Sequence, residues 1–166
     1  MRNIVNPPKI NIRTDLRPGD LGYVACLHGR IYNEECGYGR GFESYVLEGL
    51  AAFLREYDPS RDRAWVCEDG SQIVGFLSGV HRDHAIQLRY FILLPEYRGF
   101  GLGKKLMQSF IAYMKEIKCS RAYLWTTREQ ETAIALYERF GFRLREEVPS
   151  ESFDKVLVEQ RYDMEL

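Results

Sequence analysis

The chain has 166 residues and a formal net charge of −1 at pH 7, so it has the length of one domain and too little net charge to attract nucleic acid or an anionic membrane over its whole surface. Hydrophobic residues make up 45% of the sequence and charged residues 28%, as in ordinary soluble globular proteins. We therefore predict a single domain over residues 1–166, with neither nucleic acid nor a membrane as its partner.

Cysteine spacing and the N-terminal sequence indicate the cellular compartment. The cysteines stand far apart and form no Cys-x-x-Cys pair; they are Cys26, Cys36, Cys67 and Cys119. Such spacing is typical of reduced, partly buried side chains in the cytosol and not of a metal site. Residues 1–9 contain no apolar run, and no window approaches the length of a membrane span. We therefore predict a cytoplasmic protein without a signal peptide, an anchor or a bound metal.

One strand and two helices are predicted in the first third of the chain. Residues 10–13 alternate between apolar and polar side chains, and Pro18 suits the start of a helix because its missing N–H would be unpaired there. An apolar repeat at helical spacing runs from Leu21 to Ile31 and includes His28, which favours a position on the helix face over a catalytic role for this histidine. The predicted elements are a strand over 10–13, a helix over 18–32, a loop over 34–41 and a helix over 42–57.

Strands and helices alternate in the remainder of the chain. Asp69-Gly70 is a strong hairpin signal between two apolar runs. Apolar residues at intervals of four from Leu102 to Met114 predict an amphipathic helix, and Gly141 is the residue type expected just after a helix ends. The predicted strands cover 64–68, 72–80, 87–94, 122–126, 142–147 and 155–165, and the predicted helices cover 102–117 and 133–140. The segment 149–154 is predicted to be an exposed, mobile loop.

This order of elements predicts the α/β class, with an α+β mixed sheet of about seven strands and helices on both of its faces. No repeat, low-complexity segment or linker interrupts the sequence, which again favours one domain.

The chain is organised around the stretch 88–118, where an apolar strand leads through Pro95 into a glycine-rich turn and then into a helix. The turn reads Arg98-Gly99-Phe100-Gly101-Leu102-Gly103. The first N–H groups of a helix have no partner within it and attract negative charge, and glycine lets a ligand approach the backbone closely. The pattern therefore indicates a phosphate-binding turn.

Two familiar nucleotide-binding motifs fit the turn poorly. A dinucleotide-binding turn requires an acidic residue about twenty positions further on, where this chain has Tyr123 and Leu124. A P-loop requires a wider glycine spacing followed by Lys-Ser or Lys-Thr, whereas Gly103 is followed by Lys104-Lys105-Leu106. A turn with a purely structural role stays open as an alternative, because glycines at this spacing are weak evidence by themselves.

The motif Arg-x-x-Gly-x-Gly after a strand that ends at Pro95 resembles the Gcn5-related N-acetyltransferase (GNAT) family. The motif residues are Arg98, Gly101 and Gly103, and the downstream segment from Ala133 to Phe142 resembles the same family. The element order agrees over nearly the whole chain. In this family the loop cradles the pyrophosphate of acetyl-CoA, so the resemblance implies the acyl-CoA N-acyltransferase fold and acetyl-CoA as the co-substrate.

The first hundred residues resemble in particular the acetyltransferase domains that follow winged-helix DNA-binding domains of the MarR type. The segments that carry this likeness are Leu16 to Asp20, His28-Gly29, Tyr32, Gly37 and Phe42-Glu43. Fewer than ten residues precede the first predicted strand, so we expect no DNA-binding domain in this chain. Any transcriptional role would then need a separate partner.

The resemblance implies a role for one tyrosine and a set of cofactor contacts. Tyr137 would protonate the departing thiolate of CoA, a role open to a phenol; packing in the core is the alternative. A bulge would free the backbone of the central strand for the pantetheine arm. Many members have asparagine where this chain has Gln130, so that contact is altered here. The predicted cofactor-binding residues are Ile92, Leu93, Leu94, Arg98, Gly99, Phe100, Gly101, Leu102, Gly103, Lys104 and Gln130.

The acceptor site is expected near the first loop and helix, where the family usually builds it. The predicted acceptor-binding residues are Tyr32, Glu34, Glu35 and Tyr38, with Glu43 and Tyr45 in the same region; solvated carboxylates and ordinary core aromatics are the alternatives. No general base is evident, which is compatible with removal of the proton by water. The acceptor itself, a small-molecule or peptide amine, and the oligomeric state are not determined, although the last strands of family members often exchange contacts in a homodimer.

The sequence thus predicts an acetyl-CoA-dependent N-acetyltransferase in which the amine attacks the bound thioester directly, in a ternary complex. Two alternatives stay open. One is a catalytically idle acyl-CoA-binding sensor or regulatory module, and the other is an oligomer-forming scaffold in which the glycine turn is only a turn.

Overall fold

The computed structural model describes residues 8–166. The predicted absence of a signal peptide or anchor in residues 1–9 therefore lies almost wholly outside the described residues. The helices are α1 (Asp20–Cys36), α2 (Arg40–Glu56), α3 (Leu102–Glu116) and α4 (Glu131–Arg139). The strands are β1 (Asn11–Arg13), β2 (Arg63–Asp69), β3 (Gln72–Arg82), β4 (Ala85–Leu93), β5 (Arg121–Thr127), β6 (Arg143–Ser150) and β7 (Leu157–Glu165), and a 3-10 turn covers Pro95–Tyr97.

The strands form one mixed sheet, which confirms the predicted fold class. Their order is β1-β2-β3-β4-β5-β7-β6 across a sheet of seven strands. Every neighbouring pair is antiparallel except β4 and β5, which are parallel. Among the described helices, none combines the length and the apolar character that crossing a bilayer requires.

Helices cover both faces of the sheet, as predicted. Consecutive residues of a strand point to opposite faces, and Gly79 and Ser78 of β3 show which helix covers each. A Cβ on Gly79 would lie 3.2 Å from the Phe110 ring of α3. Ser78 is paired with Arg89 of β4, whose guanidinium lies 5.8 Å from the centre of the Tyr45 ring of α2. With α1 packed on α2, and α4 on the first turn of α3, two helices lie on each face.

The first helix is longer than predicted. It continues four residues beyond the predicted end at residue 32 and stops at Cys36, where Gly37 takes a left-handed φ of 72° and its N–H bonds to the carbonyl of Asn33. The last turn carries polar side chains, so the apolar repeat that marks the buried face has already ended there. Glu34 and Glu35 consequently belong to a helix and not to a loop.

The last predicted loop is shorter and less exposed than expected. β6 continues to Ser150, and Pro149 pairs with Val158; proline is tolerated because β6 is an edge strand. Phe153, within the remaining loop, is buried against Tyr38 and Phe42. The prediction of an exposed loop is therefore wrong at Phe153, because a single aromatic residue anchors the segment to the helices.

A buried ion pair fixes the start of the chain to the sheet. Arg13 of β1 lies 2.8 Å from Asp20 of α1 and 2.7 Å from Glu68 of β2. Burial alone would raise the pKa of Asp20, but hydrogen bonds from Arg13 and from the backbone N–H of Arg17 outweigh it and lower that pKa. The network joins three elements and so sets where α1 begins relative to the sheet.

Candidate functional site

The central strand β4 contains a bulge. Phe76 of β3 pairs with Ile92 and Ser78 pairs with Arg89, so Tyr90 and Phe91 together oppose Leu77. Tyr90 takes a positive φ of 55°, a conformation that is uncommon for a residue other than glycine. The bulge expected from the family resemblance is therefore present.

The bulge turns two consecutive side chains toward the same helix. A Cβ on Gly49 of α2 would collide with the Tyr90 hydroxyl and would lie 3.1 Å from Arg89 Nη2. In a regular strand Arg89 and Tyr90 would point to opposite faces, whereas here both point to α2. Re-aiming a side chain in this way is a recurrent use of bulges near functional sites.

Beyond the bulge, β4 separates from β5. The two strands pair only at Ile86 with Ala122 and at Gln87 with Tyr123, so the rest of β4 has no partner on that side. The N–H of Leu94 donates to the Val74 carbonyl at 2.9 Å, and ladder bonds alternate along a strand. The N–H of Leu93 therefore faces the opening.

This geometry divides the three residues predicted to offer their backbone to the cofactor. Ile92 pairs with Phe76, and the Leu94 N–H is already occupied by β3, so neither N–H faces the opening between the strands. Of the three residues, only Leu93 directs its N–H toward the opening. Its carbonyl accepts a hydrogen bond from Arg98 Nε at 3.1 Å.

The glycine-rich turn lies just after this open stretch. Gly99 and Gly101 have φ values of 84° and 81°, and a Cβ on either would meet no atom within 4 Å. Gly101 caps α3, so the unpaired N–H groups of the first helical turn face solvent there. Phe100 is exposed, and Lys104 and Leu102 follow in the first turn. The turn has the open, positively polarised form that an anion needs.

Arg98, the predicted phosphate ligand, is engaged by a carboxylate of the first helix. Its Nη1 lies 2.7 Å from Glu35 Oε1, and both side chains are about two-fifths exposed, at 42% and 38%. Glu35 was predicted to bind the acceptor, and the structure places it beside Arg98 and the glycine-rich turn. Such an exposed pair is weak and leaves the guanidinium available for a stronger anion.

Tyr137 lies on α4 at the opening between the strands. Its side chain is only 6% exposed, and its ring centre is 6.2 Å from that of Phe91 and 6.1 Å from that of Phe142. Burial raises the pKa of this phenol well above its usual range, so it is protonated at neutral pH. Among residues 8–166, no side chain forms a hydrogen bond with its hydroxyl.

A cleft, here called the central cleft, opens between α1, α2 and the separated strands and encloses about 770 Å³, open solvent included. Aromatic residues make up half of its lining: Tyr32, Tyr38, Phe42, Tyr45, Tyr90, Phe91, Trp125, Tyr137 and Phe153. Tyr38 Oη lies 2.6 Å from Thr127 Oγ1 of β5, which joins the helical wall to the far side of the opening.

The predicted acceptor residues divide between the central cleft and its surroundings. Tyr32 and Tyr38 line it, and so do Tyr45 and Gln130, but Glu34 and Glu35 do not. Gln130 Nε2 donates to Cys36 Sγ at 3.0 Å, so this side chain is held by α1 as well as facing the cleft.

Most residues of the central cleft were not predicted, and among them are His28 as a wall residue, Arg89 and Glu159. His28 Nδ1 bonds to the Val24 carbonyl at 2.8 Å. Burial, opposed by that bond, lowers the pKa of His28 to about 4, which keeps the ring neutral. Alternation along β4 could have suggested Arg89, whereas no sequence signal singles out Glu159.

No cluster of three or more His, Cys, Asp or Glu side chains within residues 8–166 is arranged to hold a metal ion. The cysteines are free thiols, and only Cys67 among them is fully buried.

Comparison with known proteins agrees with this geometry. The sequence model of the acetyltransferase (GNAT) family matches residues 24–142. Over 81 residues, 48% of this chain and 53% of the relative, the chain is 35% identical to a spermine/spermidine N(1)-acetyltransferase of Bacillus subtilis. Over 115 residues, 63% of this chain and 51% of the relative, it is 30% identical to the mouse protein named probable N-acetyltransferase family 8 member 5. The chain thus spans about half the length of these curated relatives.

Solved structures show the same fold along nearly the whole chain. An acetyltransferase from Streptococcus agalactiae superposes with a TM-score of 0.77 at 19% identity, covering 95% of this chain and 98% of that one. The spermidine N-acetyltransferase of Vibrio cholerae, solved with CoA and spermine, superposes with a TM-score of 0.66 at 20% identity, covering 94% and 95%.

Proposed function

The chain belongs to the acetyltransferase (GNAT) family, and from this premise we propose that it is an N-acetyltransferase that transfers the acetyl group of acetyl-CoA directly to a small-molecule amine. The observation that carries the proposal is the continuous path from the glycine-rich turn, along the open edge of β4, to Tyr137 and the central cleft. The relatives named as polyamine acetyltransferases support an amine acceptor.

The turn and the open strand would hold the co-substrate. The N–H groups at the start of α3, with Arg98 and Lys104, would bind its phosphates. The pantetheine arm would lie beside β4, where the Leu93 N–H is available to an oxygen of the thioester end. A donor fixed in advance near a developing oxyanion lowers the barrier to acyl transfer.

Tyr137 would supply a proton to the leaving group. The amine lone pair forms the new C–N bond, the C–S bond breaks, and the phenol proton passes to the sulfur. The surplus proton of the amine leaves to water in the open cleft, and a proton from solvent restores the phenol. A phenol, whose ordinary pKa is about 10, is protonated at neutral pH and so is in the right protonation state for this role.

Calorimetric titration of the purified protein with acetyl-CoA, CoA and ATP tests the first half of the proposal. We expect micromolar binding of acetyl-CoA and CoA and no binding of ATP. If none of the three binds, the glycine-rich turn is only structural and the enzyme interpretation fails. Binding without acetylation of any amine would favour the idle acyl-CoA-binding module instead.

A matched pair of glycine variants shows whether the turn itself binds. Gly101 and Gly70 both have left-handed φ values, 81° and 61°, and both face open space. Replacing either by alanine imposes a similar backbone strain, but only Gly101→Ala alters the proposed phosphate site. We expect Gly101→Ala to weaken acetyl-CoA binding about tenfold or more and Gly70→Ala to leave it unchanged.

Several predictions of wider scope stay part of this proposal. They are a single domain over residues 1–166, a cytoplasmic location, a homodimer formed through the last strands, and the link to acetyltransferases that follow MarR-type domains. Sedimentation of the purified protein tests the homodimer directly.

A further inference from the structure

The central cleft contains one cation and one anion. Of the residues that line it, only Arg89 and Glu159 carry a charge at neutral pH, since His28 stays neutral. A cleft built for a polyamine would need carboxylates for several ammonium groups and would gain nothing from a fixed cation. The charges of this cleft are instead those that a zwitterion would complement.

Arg89 lacks a counter-ion within the described part of the chain. No carboxylate of residues 8–166 lies within 4 Å of it, and its hydrogen bond from Nη2 goes to the neutral Tyr45 hydroxyl at 3.2 Å. Its guanidinium also lies 4.6 Å from the centre of the Tyr90 ring. Most of its N–H donors are therefore free for a ligand, and the residue is half-buried. A guanidinium binds a carboxylate most strongly through two parallel N–H···O bonds.

A second unpaired group lies beside it. The Tyr90 hydroxyl is, among residues 8–166, the one buried side-chain polar atom without a hydrogen-bond partner. Because of the bulge, this hydroxyl and Arg89 Nη2 converge on the same point of α2, Gly49. A buried donor left unpaired costs free energy, so Arg89 and Tyr90, both of which line the cleft, form an incomplete polar site where α2 meets the bulge.

The anion that would pair with Arg89 is not a phosphate of CoA. Arg89 lies four residues before Leu93, where β4 ends, and the two are at most about 13 Å apart along the strand, because the bulge shortens it. Arg98, Lys104 and the start of α3 all lie beyond that point. The anion that meets Arg89 must therefore belong to the acceptor.

Glu159 also lines the cleft and would attract the cationic end of an acceptor whose anion binds Arg89. It is half-buried on β7 and pairs with Thr127 of β5, whose hydroxyl contacts Tyr38 on the side of α1 and α2. Side chains paired across two strands lie on the same face, so Glu159 faces the same cleft as Arg89. Within residues 8–166 its carboxylate takes part in no ion pair.

We propose that the acceptor is an amine of the amino-acid class, whose carboxylate binds Arg89 and the Tyr90 hydroxyl while its amino end is attracted by Glu159. The inference rests on the proposed acetyltransferase function and specifies the acceptor of that same site. Arg89 and Glu159 act as specificity-determining residues and take no part in bond making.

Matched acceptor pairs that differ only in the α-carboxylate test this directly. They are phenylalanine and phenethylamine, tryptophan and tryptamine, and lysine and cadaverine, with spermidine as the polyamine. Release of CoA from acetyl-CoA is followed with a thiol reagent, and binding of each acceptor to the CoA complex is measured by calorimetry. For at least one pair we expect kcat/KM to be about tenfold or more higher for the amino acid.

Two variants separate the two charges. Arg89→Gln should lower kcat/KM for the amino acid by about 10- to 100-fold and leave the decarboxylated partner within threefold. Arg89→Lys should lose less activity than Arg89→Gln, because lysine keeps the positive charge but lacks the two parallel N–H donors of the guanidinium. Glu159→Gln should lower kcat/KM for both members alike, so that their ratio is unchanged. Arg63→Gln is the control, since Arg63 also packs on a tyrosine, Tyr113, but pairs with Glu116 outside the cleft.

The outcomes separate the two levels of the proposal. Preference for spermidine or the decarboxylated amines, or an equal loss for both members in Arg89→Gln, would overturn the inference while the acetyltransferase function stands. Binding of acetyl-CoA without binding or acetylation of any amino acid would also overturn it. Failure to bind acetyl-CoA would remove the proposed function, and the inference with it.

Discussion

Burial changes the acid–base behaviour of two side chains in the central cleft, Tyr137 and His28. Both are nearly excluded from solvent, so the charged form of each is disfavoured. For Tyr137 this raises the pKa and for His28 it lowers the pKa, and both groups are therefore neutral at pH 7. A neutral phenol can donate a proton, and a neutral imidazole adds no charge to the central cleft.

If Tyr137 protonates the leaving thiolate, Tyr137→Phe should lower kcat by about 100-fold, within the usual range for loss of a general acid. The phenyl ring keeps the packing against Phe91 and Phe142, so acetyl-CoA binding should change less than threefold. Steady-state kinetics and calorimetry measure the two quantities. Tyr57→Phe, which removes a hydroxyl away from the cleft, is the control and should leave kcat unchanged. An unaltered kcat in Tyr137→Phe would show that Tyr137 is a packing residue.

His28 should make the folded protein sensitive to mild acid. Its pKa is lowered to about 4 by burial, against a hydrogen bond to Val24 that acts in the opposite direction. The unfolded chain binds the proton near the ordinary pKa of about 6.5. The stabilisation is therefore complete above pH 6.5 and is lost as the pH falls toward 4, by roughly 3 kcal/mol in all.

Urea unfolding at several pH values between 7 and 4.5 measures this slope. His28→Gln has no titratable ring and should show a shallower decline in the free energy of unfolding over that interval. His81 and His84 are present in both proteins, so their contributions cancel. Equal slopes in the two proteins would contradict the neutral, buried state of His28.

At the scale of elements, the contact between α2 and the bulge of β4 decides the shape of the cleft. Gly49 has no side chain where the Tyr90 hydroxyl and Arg89 Nη2 approach the helix. A larger residue would push the helix from the strand or turn Tyr90 out of its site. The missing Cβ therefore allows the bulge to point both side chains at α2.

Gly49→Ala should lower the free energy of unfolding by about 1–3 kcal/mol, as overpacking usually does. Gly22→Ala is the matched control, because Gly22 also lies within a helix but a Cβ there would meet no atom within 4 Å. That variant should be more stable than the parent by about 0.5–1 kcal/mol, from helix propensity alone. Equal effects of the two substitutions in urea unfolding would show that the Tyr90 side chain moves away from the new methyl group without a cost in stability.

At the scale of the whole molecule, the sheet consists of two parts that are joined by a short stretch of parallel pairing. Strands β1 to β4 and strands β5 to β7 meet through the pairs Ile86 with Ala122 and Gln87 with Tyr123. A co-substrate lying in the opening would contact β4 and α4 together and so brace both parts. The same opening that exposes the backbone of β4 thus makes stability depend on the ligand.

Thermal unfolding should show this dependence as a single cooperative transition that moves upward with acetyl-CoA. At a ligand concentration of 100 times Kd the stabilisation is about 2.7 kcal/mol, which for a chain of this size corresponds to a rise in Tm of about 5–10 °C. Scanning calorimetry with and without the ligand measures it. Gly101→Ala should lose most of the rise and Gly70→Ala should keep it. Two separate transitions would contradict the single domain.

The sequence by itself determined the features that depend on local chemistry. The period of apolar residues placed the strands and most helices, Gly141, whose φ is 98°, marked the end of α4, and the glycines after β4 predicted the turn that the structure shows before α3. Each of these signals lies within about 15 consecutive residues, the range over which hydrogen bonding and amphipathic packing leave a readable pattern.

Only the tertiary structure decided which distant residues meet. Tyr38 and Thr127 are 89 positions apart and share a hydrogen bond, Phe153 packs against Phe42 of α2, and Glu35 forms an ion pair with Arg98. The bulge that directs Arg89 and Tyr90 to Gly49, and the pairing that directs Glu159 into the same cleft, depend on strand register and helix packing. Those are set by the packing of the whole core, which no single stretch of the sequence encodes.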